Sequence, residues 1–333
     1  MSSSKLQPPA SRPLVVRLRN WVGDVVLGVP ALRLLAAHGH ELHLIGKPWA
    51  AKLLAGEGWQ VHALPKTTRE RVRLLRTLRR GCRAADPGFP RRLNAIAFPF
   101  SFSSALEMRL AGLRAIGHAH EGRSLLLGRA LPRRRGMHEL EVYWELACAL
   151  LGQAPQPPAA IGLRVSEPHR EQAARLRREH GLEPGRYLVL CPFAGGTFEK
   201  LPKTWPAFPA FAQALAPLGL PLVLCPGPGE EDAARRDFPG CLVLPGVDLG
   251  VYAALLQDAA LMVSNDTGPG HLAAAVGTPT LSVLGPTDPQ QWRPWGPQVS
   301  IVRGDEGGWP EPAAVMAQLR RMLAAPRPSA APA

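Results

Sequence analysis

Short apolar runs alternate with longer segments of helical periodicity through most of the chain. The run 14–18 (LVVRL) has the composition of a strand, and the apolar residues between Val25 and Leu35 follow at helical spacing. A long amphipathic segment at 139–151 shows the same helical pattern. Repeated strand–helix units build parallel sheets with helices on both faces, so the chain is predicted to be an α/β protein with doubly wound sheets. Further strand-like runs lie at 42–46, 61–64, 95–98, 187–191, 222–225, 242–244, 261–264 and 280–284.

A proline-rich stretch divides this alternation into two blocks. Residues 152–160 (GQAPQPPAA) include three prolines, which exclude regular structure and favour a stiff connection. The length of 333 residues suits two domains of about 150 residues each. Two such domains leave a cleft between the carboxyl edges of their strands, where open sheets bind ligands. The predicted order is a disordered lead-in at 1–13, a Rossmann-like domain at 14–152, a linker at 153–160, a second Rossmann-like domain at 161–325 and a tail at 326–333.

The excess of positively charged over negatively charged residues lies in the first half of the chain. Residues 1–150 hold 24 Lys and Arg against 10 Asp and Glu, whereas residues 151–333 hold 15 against 16. A basic half favours an anionic partner, which can be nucleic acid, an anionic membrane or a phosphorylated substrate. The segment 66–92 contains one aromatic residue, Phe89, and therefore lacks the interleaved rings of a platform that stacks nucleic-acid bases. We expect no nucleic-acid partner, although a basic nucleic-acid or anionic-surface binding protein stays an alternative.

Three further features predict a cytoplasmic protein. No run of 18 apolar residues is present, and the first 13 residues lack the apolar centre of a signal peptide. The five cysteines form no CxxC pair, so buried, reduced thiols are expected.

A glycine and an aspartate follow the first predicted strand. Gly23 and Asp24 lie where a helix begins, and a carboxylate there is stabilised by the helix dipole and by free N–H groups. Asp24 is therefore either a helix cap or a general base at the wall of the cleft, with Gly23 letting a ligand come close to the backbone.

A glycine-rich turn follows the predicted strand 187–191. Gly195, Gly196 and Thr197 suit a phosphate-binding turn between a strand and a helix, although the spacing is neither that of a dinucleotide fingerprint nor that of a P-loop. Lys200 and Lys203 follow closely, and either lysine can neutralise a diphosphate leaving group.

The segment 264–271 (SNDTGPGH) places polar residues at the end of another predicted strand. Asp266 and Thr267 are expected to cap the following helix, whose free N–H groups then meet a diphosphate. Gly268 allows a close approach, and His271 stands one turn into that helix, so it is either structural or part of the phosphate site.

Two glutamates follow the predicted strand 222–225. Glu230 or Glu231 can hold the hydroxyls of a ribose, as a carboxylate beyond a strand does in nucleotide-binding folds. The alternative is an acidic first helical turn, which the helix dipole favours.

Taken together, these segments resemble glycosyltransferase family 9, the heptosyltransferases. The segment 18–24 (LRNWVGD), followed by 30–32 (PAL), is similar to the family's opening motif and is closer to the second heptosyltransferase type than to the first. The segment 266–271 (DTGPGH) with 285–289 (GPTDP) is the most specific match, and 203–206 (KTWP) matches a further motif.

The resemblance implies a GT-B fold, in which two Rossmann-like domains face each other across a cleft. It implies inverting transfer of a heptose from ADP-L-glycero-D-manno-heptose to the inner core of lipopolysaccharide, without a metal or another cofactor. The acceptor would be a phosphorylated, lipid-linked core oligosaccharide held by the basic N-terminal domain, in peripheral contact with the inner face of the cytoplasmic membrane. A GT-B transferase or a silent binder that uses another nucleotide sugar stays an alternative.

The same resemblance assigns roles to individual residues. Asp24 corresponds to the proposed catalytic base, beside Gly23, and Lys203 to the residue that meets the donor phosphates. The other donor-binding residues that the resemblance implies are Glu230 or Glu231, Asp266, Thr267, Gly268 and His271. Gly23, Gly195, Gly196 and Thr197 are predicted to bind the donor from their positions after strands, and the stretch that contains Gly195 and Gly196 departs from the usual sequence of the family.

Overall fold

The computed structural model describes residues 12–90, 93–198 and 200–325. Their strands form two six-stranded parallel sheets and one small antiparallel hairpin. The first strand begins at Arg12, so the predicted lead-in at 1–13 is two residues too long, because Arg12 and Pro13 already pair with the neighbouring strand. Residues 1–11 and the predicted tail at 326–333 lie outside the described residues.

The first sheet has the strand order β3-β2-β1-β4-β5-β6. Its strands are β1 (Arg12–Arg17), β2 (His40–Gly46), β3 (Gln60–Ala63), β4 (Ala95–Ala97), β5 (Ala115–His118) and β6 (Arg129–Leu131). The helices of this half are α1 (Val22–Ala37), α2 (Trp49–Leu53), α3 (Thr68–Ala85), α4 (Phe102–Leu110) and α5 (Glu139–Leu151).

The second sheet repeats this order as β11-β10-β7-β12-β13-β14. Its strands are β7 (Leu188–Cys191), β10 (Leu222–Leu224), β11 (Leu242–Val243), β12 (Leu261–Ser264), β13 (Thr280–Leu284) and β14 (Val299–Arg303), and the hairpin is β8 (Thr197–Phe198) with β9 (Leu201–Pro202). The helices are α6 (Glu167–Glu179), α7 (Phe208–Ala214), α8 (Glu231–Asp237), α9 (Leu249–Asp258), α10 (Gly268–Ala275), α11 (Pro289–Trp292) and α12 (Pro312–Ala324).

Burial on both faces explains why the central strands are continuous apolar runs. Strands β12 and β13 are buried along their whole length, as expected for parallel strands covered by helices on both sides. Helix α1 is buried from Gly23 to Leu32 because it packs against α5 on one side and α10 of the other half on another. The two sheets are thus joined through α1, at the first helix of the N-terminal half.

The segment between the sheets contains no helix or strand at 153–160. Its backbone is held at two points, where the Trp144 indole N–H donates to the Pro155 carbonyl at 2.7 Å and the Trp295 indole N–H donates to the Pro158 carbonyl at 2.8 Å. One sheet lies on each side of this segment in the chain. The division into domains at 14–152 and 161–325 stays a prediction.

Two predictions from composition concern membranes and thiols. Within the described ranges, no helix is both long and apolar enough to cross a bilayer. All five cysteines are described, and none is in a disulfide. Cys82 and Cys148 are buried, while the other three are partly exposed.

Candidate active site

The carboxyl edges of the two sheets meet at a cleft of about 840 Å³. The N-terminal half contributes the loop after β1 and the first turn of α1, including Arg19 and Asp24. The C-terminal half contributes the ends of β7, β10 and β12 and the start of α10. The cleft therefore lies where open parallel sheets bind their ligands.

Two glycines let the first turns of α1 and α10 come into contact. A Cβ atom on Gly23 would lie 2.8 Å from Cδ2 of His271, and one on Gly268 would lie 2.9 Å from the Cβ atom of Val22. Both contacts are too short for a side chain, so only glycine fits at either position.

Both helices begin at the cleft without a side-chain cap. The residue before α1 is Trp21 and the residue before α10 is Thr267, and neither side chain accepts a hydrogen bond from its helix. The prediction that Asp266 and Thr267 cap α10 is therefore wrong, and Asp24 lies in the first turn of α1 and not at its cap. The free N–H groups and the positive ends of both helix dipoles consequently face the cleft, as in anion-binding sites.

Asp24 is 8% exposed and has partners on two sides. The Tyr143 hydroxyl donates to Asp24 Oδ1 at 2.8 Å, and Arg19 Nε lies 3.5 Å from Asp24 Oδ2. Burial raises the pKa of the nearby Glu139 carboxyl, with Arg19 opposing this and Asp24 adding to it. Arg19 lies in the segment 18–24 but was given no role from the sequence. Glu139 and Tyr143 were not identified, because no motif links α5 to the first strand.

Asp266 binds two partners from other elements. Lys203 Nζ lies 2.8 Å from Asp266 Oδ2, and the Thr287 hydroxyl donates to the same oxygen at 2.9 Å. Asn265 fixes this arrangement, since its side-chain oxygen accepts the Trp205 backbone N–H at 3.1 Å. The segment 203–206 and the segment 264–271 are thus joined at the carboxyl edge of the second sheet.

His271 is buried beside this pair. Its Nε2 atom lies 4.0 Å from Asp266 Oδ1, and its Nδ1 atom has no hydrogen-bond partner among the described residues. Burial lowers the pKa of His271, although Asp266 and Asp24 oppose this shift. Burial thus favours the neutral imidazole near pH 7.

The glycine-rich turn after β7 leads into the β8–β9 hairpin and not into the predicted helix. Gly195, Gly196 and Thr197 line the cleft, and Gly196 has a left-handed backbone with φ 77°. Lys203 also lines the cleft, whereas Lys200 lies in the exposed turn of the hairpin with φ 69°. The structure thus places the two candidate lysines in different surroundings.

Glu230 and Glu231 both line the cleft and both bind the turn that precedes α8. A Glu230 carboxylate oxygen accepts the Gly227 N–H at 2.8 Å, and Glu231 accepts the Gly229 N–H at 2.7 Å. Their positions do not separate the two candidates for a ribose ligand.

Several lining residues were not identified from the sequence. Lys52 Nζ of α2 lies 3.4 Å from Asp248 Oδ2 before α9, and this ion pair joins the two halves at the far end of the cleft. The Tyr252 hydroxyl is buried beneath the cleft and lacks a partner within the described part of the chain. Charged and aromatic residues of this kind occur throughout the sequence, so only the fold identifies them.

Comparison with known proteins places this geometry in a family. The sequence profile of glycosyltransferase family 9 (heptosyltransferase) matches residues 94–317. Lipopolysaccharide heptosyltransferase 3 of Escherichia coli is 36% identical over 133 residues, which are 36% of this chain and 38% of that protein. The chain therefore aligns with well under half the length of this curated relative.

Solved structures share the fold. ADP-heptose lipopolysaccharide heptosyltransferase II of E. coli superposes with a TM-score of 0.77 at 24% identity, covering 93% of this chain and 98% of that chain. The iron-containing dodecameric glycosyltransferase TibC of E. coli is more distant, with a TM-score of 0.51 and 17% identity over 90% of this chain and 66% of that chain. The prediction of an α/β protein with the GT-B fold, built on two parallel sheets, is confirmed. Because the profile match spans more than half of its residues, the chain belongs to glycosyltransferase family 9, the heptosyltransferase family.

Proposed function

We propose that the protein is an inverting glycosyltransferase that moves a heptose from ADP-L-glycero-D-manno-heptose to the inner core of lipopolysaccharide. Membership of the family supports this activity. The observation that carries it is the position of Asp24, which enters the cleft from the N-terminal sheet beside Lys203, Asp266 and His271 of the C-terminal sheet. A base and an anion site thus face the same space.

Transfer with inversion needs one base and one stabilised leaving group. The acceptor hydroxyl gives its proton to the Asp24 carboxylate while its oxygen attacks the anomeric carbon of the donor sugar. The bond from that carbon to the diphosphate breaks on the opposite face, and ADP leaves with the bonding electron pair. Asp24 Oδ1 already accepts the Tyr143 hydroxyl, so Oδ2 is the oxygen assigned to the acceptor proton.

The charge that develops on the diphosphate is met by the C-terminal half. Lys203 supplies a cation, and the free N–H groups at the start of α10 supply aligned donors. Thr267 and Gly268 bring the backbone of that helix to the donor, and neutral His271 offers a hydrogen bond to the sugar or to the phosphate. Gly195, Gly196 and Thr197 form the opposite wall, and Glu230 or Glu231 holds the ribose.

We further propose that the reaction needs no metal, since Lys203 and the α10 N-terminus provide the positive charge that a metal provides in other transferases. Among the described residues, no three His, Cys, Asp or Glu side chains cluster as a metal site. Full activity after dialysis against a chelator is the expected result, and activity restored only by an added divalent ion would contradict it.

The acceptor is proposed to reach the cleft from an anionic membrane surface through an α3–α4 face. This face consists of Phe102, Leu106 and Leu110 of α4, spaced i, i+4 and i+8, with Arg73, Arg76 and Arg80 of α3 beside them. Phe102 is 45% exposed and Leu110 is 51% exposed, and the three arginines are exposed. Arg76 donates to the Leu110 carbonyl at 3.1 Å, so the apolar and basic parts are continuous. Each arginine near an anionic bilayer contributes about 1 kcal/mol.

Sedimentation with vesicles tests this face. We expect binding to phosphatidylcholine vesicles that contain phosphatidylglycerol, weakening with salt, and no binding to phosphatidylcholine alone. Replacing Arg73, Arg76 and Arg80 by alanine should abolish most of it. The matched control replaces Arg235, Arg236 and Arg320 of the other half, which are also exposed. An equal loss of vesicle binding in both variants would show that net charge, and not this face, binds the membrane. Binding of the wild-type protein to DNA without binding to vesicles would favour the nucleic-acid alternative.

Calorimetric titration with ADP and then UDP tests the donor. Saturable ADP binding that weakens in the Asp266→Ala and Glu230→Ala variants is expected. Binding of UDP without ADP would move the protein to another nucleotide sugar. Binding of ADP without transfer to any lipopolysaccharide-core acceptor would favour the silent binder.

A further inference from the structure

The Tyr143 hydroxyl lies between two buried carboxyl groups. It is 2.8 Å from Asp24 Oδ1 and 3.0 Å from Glu139 Oε1, and the tyrosine side chain is fully buried. Its ring packs against Phe98 with the centroids 4.9 Å apart, so the hydroxyl is held in place from within the core. Tyr143 and Glu139 both belong to α5, one turn apart, whereas Asp24 belongs to α1.

The two short contacts of the Tyr143 hydroxyl cannot both be hydrogen bonds if both carboxyl groups are ionised. A phenol has one hydrogen and donates one hydrogen bond, and an ionised carboxylate only accepts. With both groups ionised, one of the two short oxygen–oxygen contacts would lack a hydrogen and would join two buried acceptors. Burial raises the pKa of Tyr143 well above its usual value, with Asp24 and Glu139 adding to the shift, so the phenol keeps its own proton. A second proton must therefore sit on one of the carboxyl groups.

The surroundings favour Glu139 as the holder of that proton. Both carboxyl groups lie in the first turn of a helix, so the helix dipoles do not distinguish them, but Arg19 Nε is only 3.5 Å from Asp24 Oδ2. The nearest guanidinium nitrogens to Glu139 are more distant, at 3.9 Å for Arg19 and 4.0 Å for Arg133. Glu139 is also the more buried of the two, and burial disfavours its charged form.

We propose that Glu139 and Tyr143 are positioning residues for the catalytic base, in a directed chain in which neutral Glu139 donates to the Tyr143 oxygen and Tyr143 donates to Asp24 Oδ1. The chain satisfies every short contact with one hydrogen each. It leaves Asp24 ionised, and it leaves the second oxygen, Oδ2, outside the chain of bonds and 3.5 Å from Arg19 Nε. Glu139 and Tyr143 do not touch the substrate, and they act through Asp24.

Infrared difference spectroscopy tests the position of the proton without any sugar transfer. In heavy water near neutral pH, a protonated carboxyl group gives a carbonyl band distinct from those of carboxylates. We expect this band to disappear in the Glu139→Gln variant and to persist in the Asp24→Asn variant. A band that disappears only in Asp24→Asn would place the proton on the base and overturn the proposal, as would a wild-type spectrum without the band.

Kinetics test the positioning role, which rests on the proposed function. The Glu139→Gln amide still donates to Tyr143, so kcat should stay within about threefold of wild type. Tyr143→Phe removes the bond to the charged Asp24 and should lower kcat about 10- to 100-fold with little change in KM for the acceptor. Tyr187→Phe is the matched control, because this buried hydroxyl donates to the Leu255 carbonyl away from the cleft and should leave kcat unchanged.

Two results would contradict this role. Equal loss of kcat in Glu139→Gln and Tyr143→Phe would mean that an ionised Glu139 is required. Unchanged kcat in Tyr143→Phe would mean that Asp24 needs no such support. If the wild-type protein transfers no heptose, the proposed function fails, while the infrared bands still report where the proton sits.

Discussion

The two halves of the molecule share a strand order but differ in charge balance: the N-terminal half has an excess of cations, and the C-terminal half is nearly neutral. In the N-terminal half the cations exceed the acids, and Arg19 and Arg133 both stack on Phe100, with their guanidinium carbons 4.7 Å and 4.2 Å from the ring centroid. In the C-terminal half the principal cation, Lys203, is paired with Asp266 at 2.8 Å. The excess of positive charge is thus on the proposed acceptor side. The proposed donor side offers backbone N–H groups and one balanced pair.

Removal of the base is the largest expected effect and should separate the halves most clearly. Asp24→Ala should lower kcat by about 10²- to 10⁴-fold, because the acceptor proton then has no positioned base. ADP affinity, measured by calorimetry, should not change, since the donor contacts lie in the other half. A loss of ADP affinity in the same variant would show that the N-terminal half also contributes to donor binding.

Acid should destabilise the protein at His138, which is buried at the joint between the halves. Its Nδ1 atom accepts the Leu140 N–H, a bond that needs the neutral ring, whereas its Nε2–H donates to the Arg293 carbonyl at 2.8 Å across the joint in either charge state. Burial lowers the pKa of His138 to about 4, with the Arg293 carbonyl opposing the shift.

The unfolded histidine titrates near its ordinary pKa, so this contribution is complete above that pH and is lost as the pH falls towards about 4. The expected loss of unfolding free energy between pH 7 and pH 5 is about 2 kcal/mol, measured by urea unfolding. The His138→Gln variant should lack this part of the pH dependence. An unchanged slope in that variant would assign the acid sensitivity to other buried histidines.

The two candidate lysines distinguish the donor side from general surface charge. Lys203→Ala removes a cation from the cleft and should weaken ADP binding about 10-fold or more. Lys200→Ala removes an equal charge from the exposed hairpin turn and should leave binding nearly unchanged. The reverse pattern would move the phosphate site to the hairpin.

Glycine substitutions give the smallest expected effects. Gly268→Ala places a methyl group against Val22 and should cost at least about 1 kcal/mol of stability. Gly81→Ala in α3, where nothing lies within 4 Å of the new atom, should stabilise the protein by up to about 1 kcal/mol. Thermal unfolding of both variants checks this, and stabilisation by both would show that the lower backbone entropy of the unfolded chain outweighs the contact with Val22.

Sequence patterns predicted the central elements of both sheets because these elements are buried and therefore consist of continuous or regularly spaced apolar residues. Helix α5 and strands β12 and β13 have the predicted bounds. Strands β5 and β6 were missed because Ala115–His118 and Arg129–Leu131 mix small, polar and charged residues. Helix α3 was predicted only near 70–82, although Thr67 and Glu70 form a capping box at its start.

The candidate site was predictable only where residues follow a strand. Asp24, Asp266 and His271 follow strands and do meet at the cleft. The bond from Tyr143 to Asp24 joins residues 119 positions apart, and no local pattern reports such a pairing. The helix expected after Gly196 is a hairpin, since turn residues fix the backbone locally but not the element that follows.

The segment between the halves is contacted by two tryptophans, whose fluorescence depends on their surroundings. Trp144 from one half and Trp295 from the other each hold a proline carbonyl of the same short segment. A rotation of one half against the other that strains this segment would break one of these two bonds and expose an indole further to water. Its emission would then shift to longer wavelength, and domain motion could be timed in the unlabelled protein.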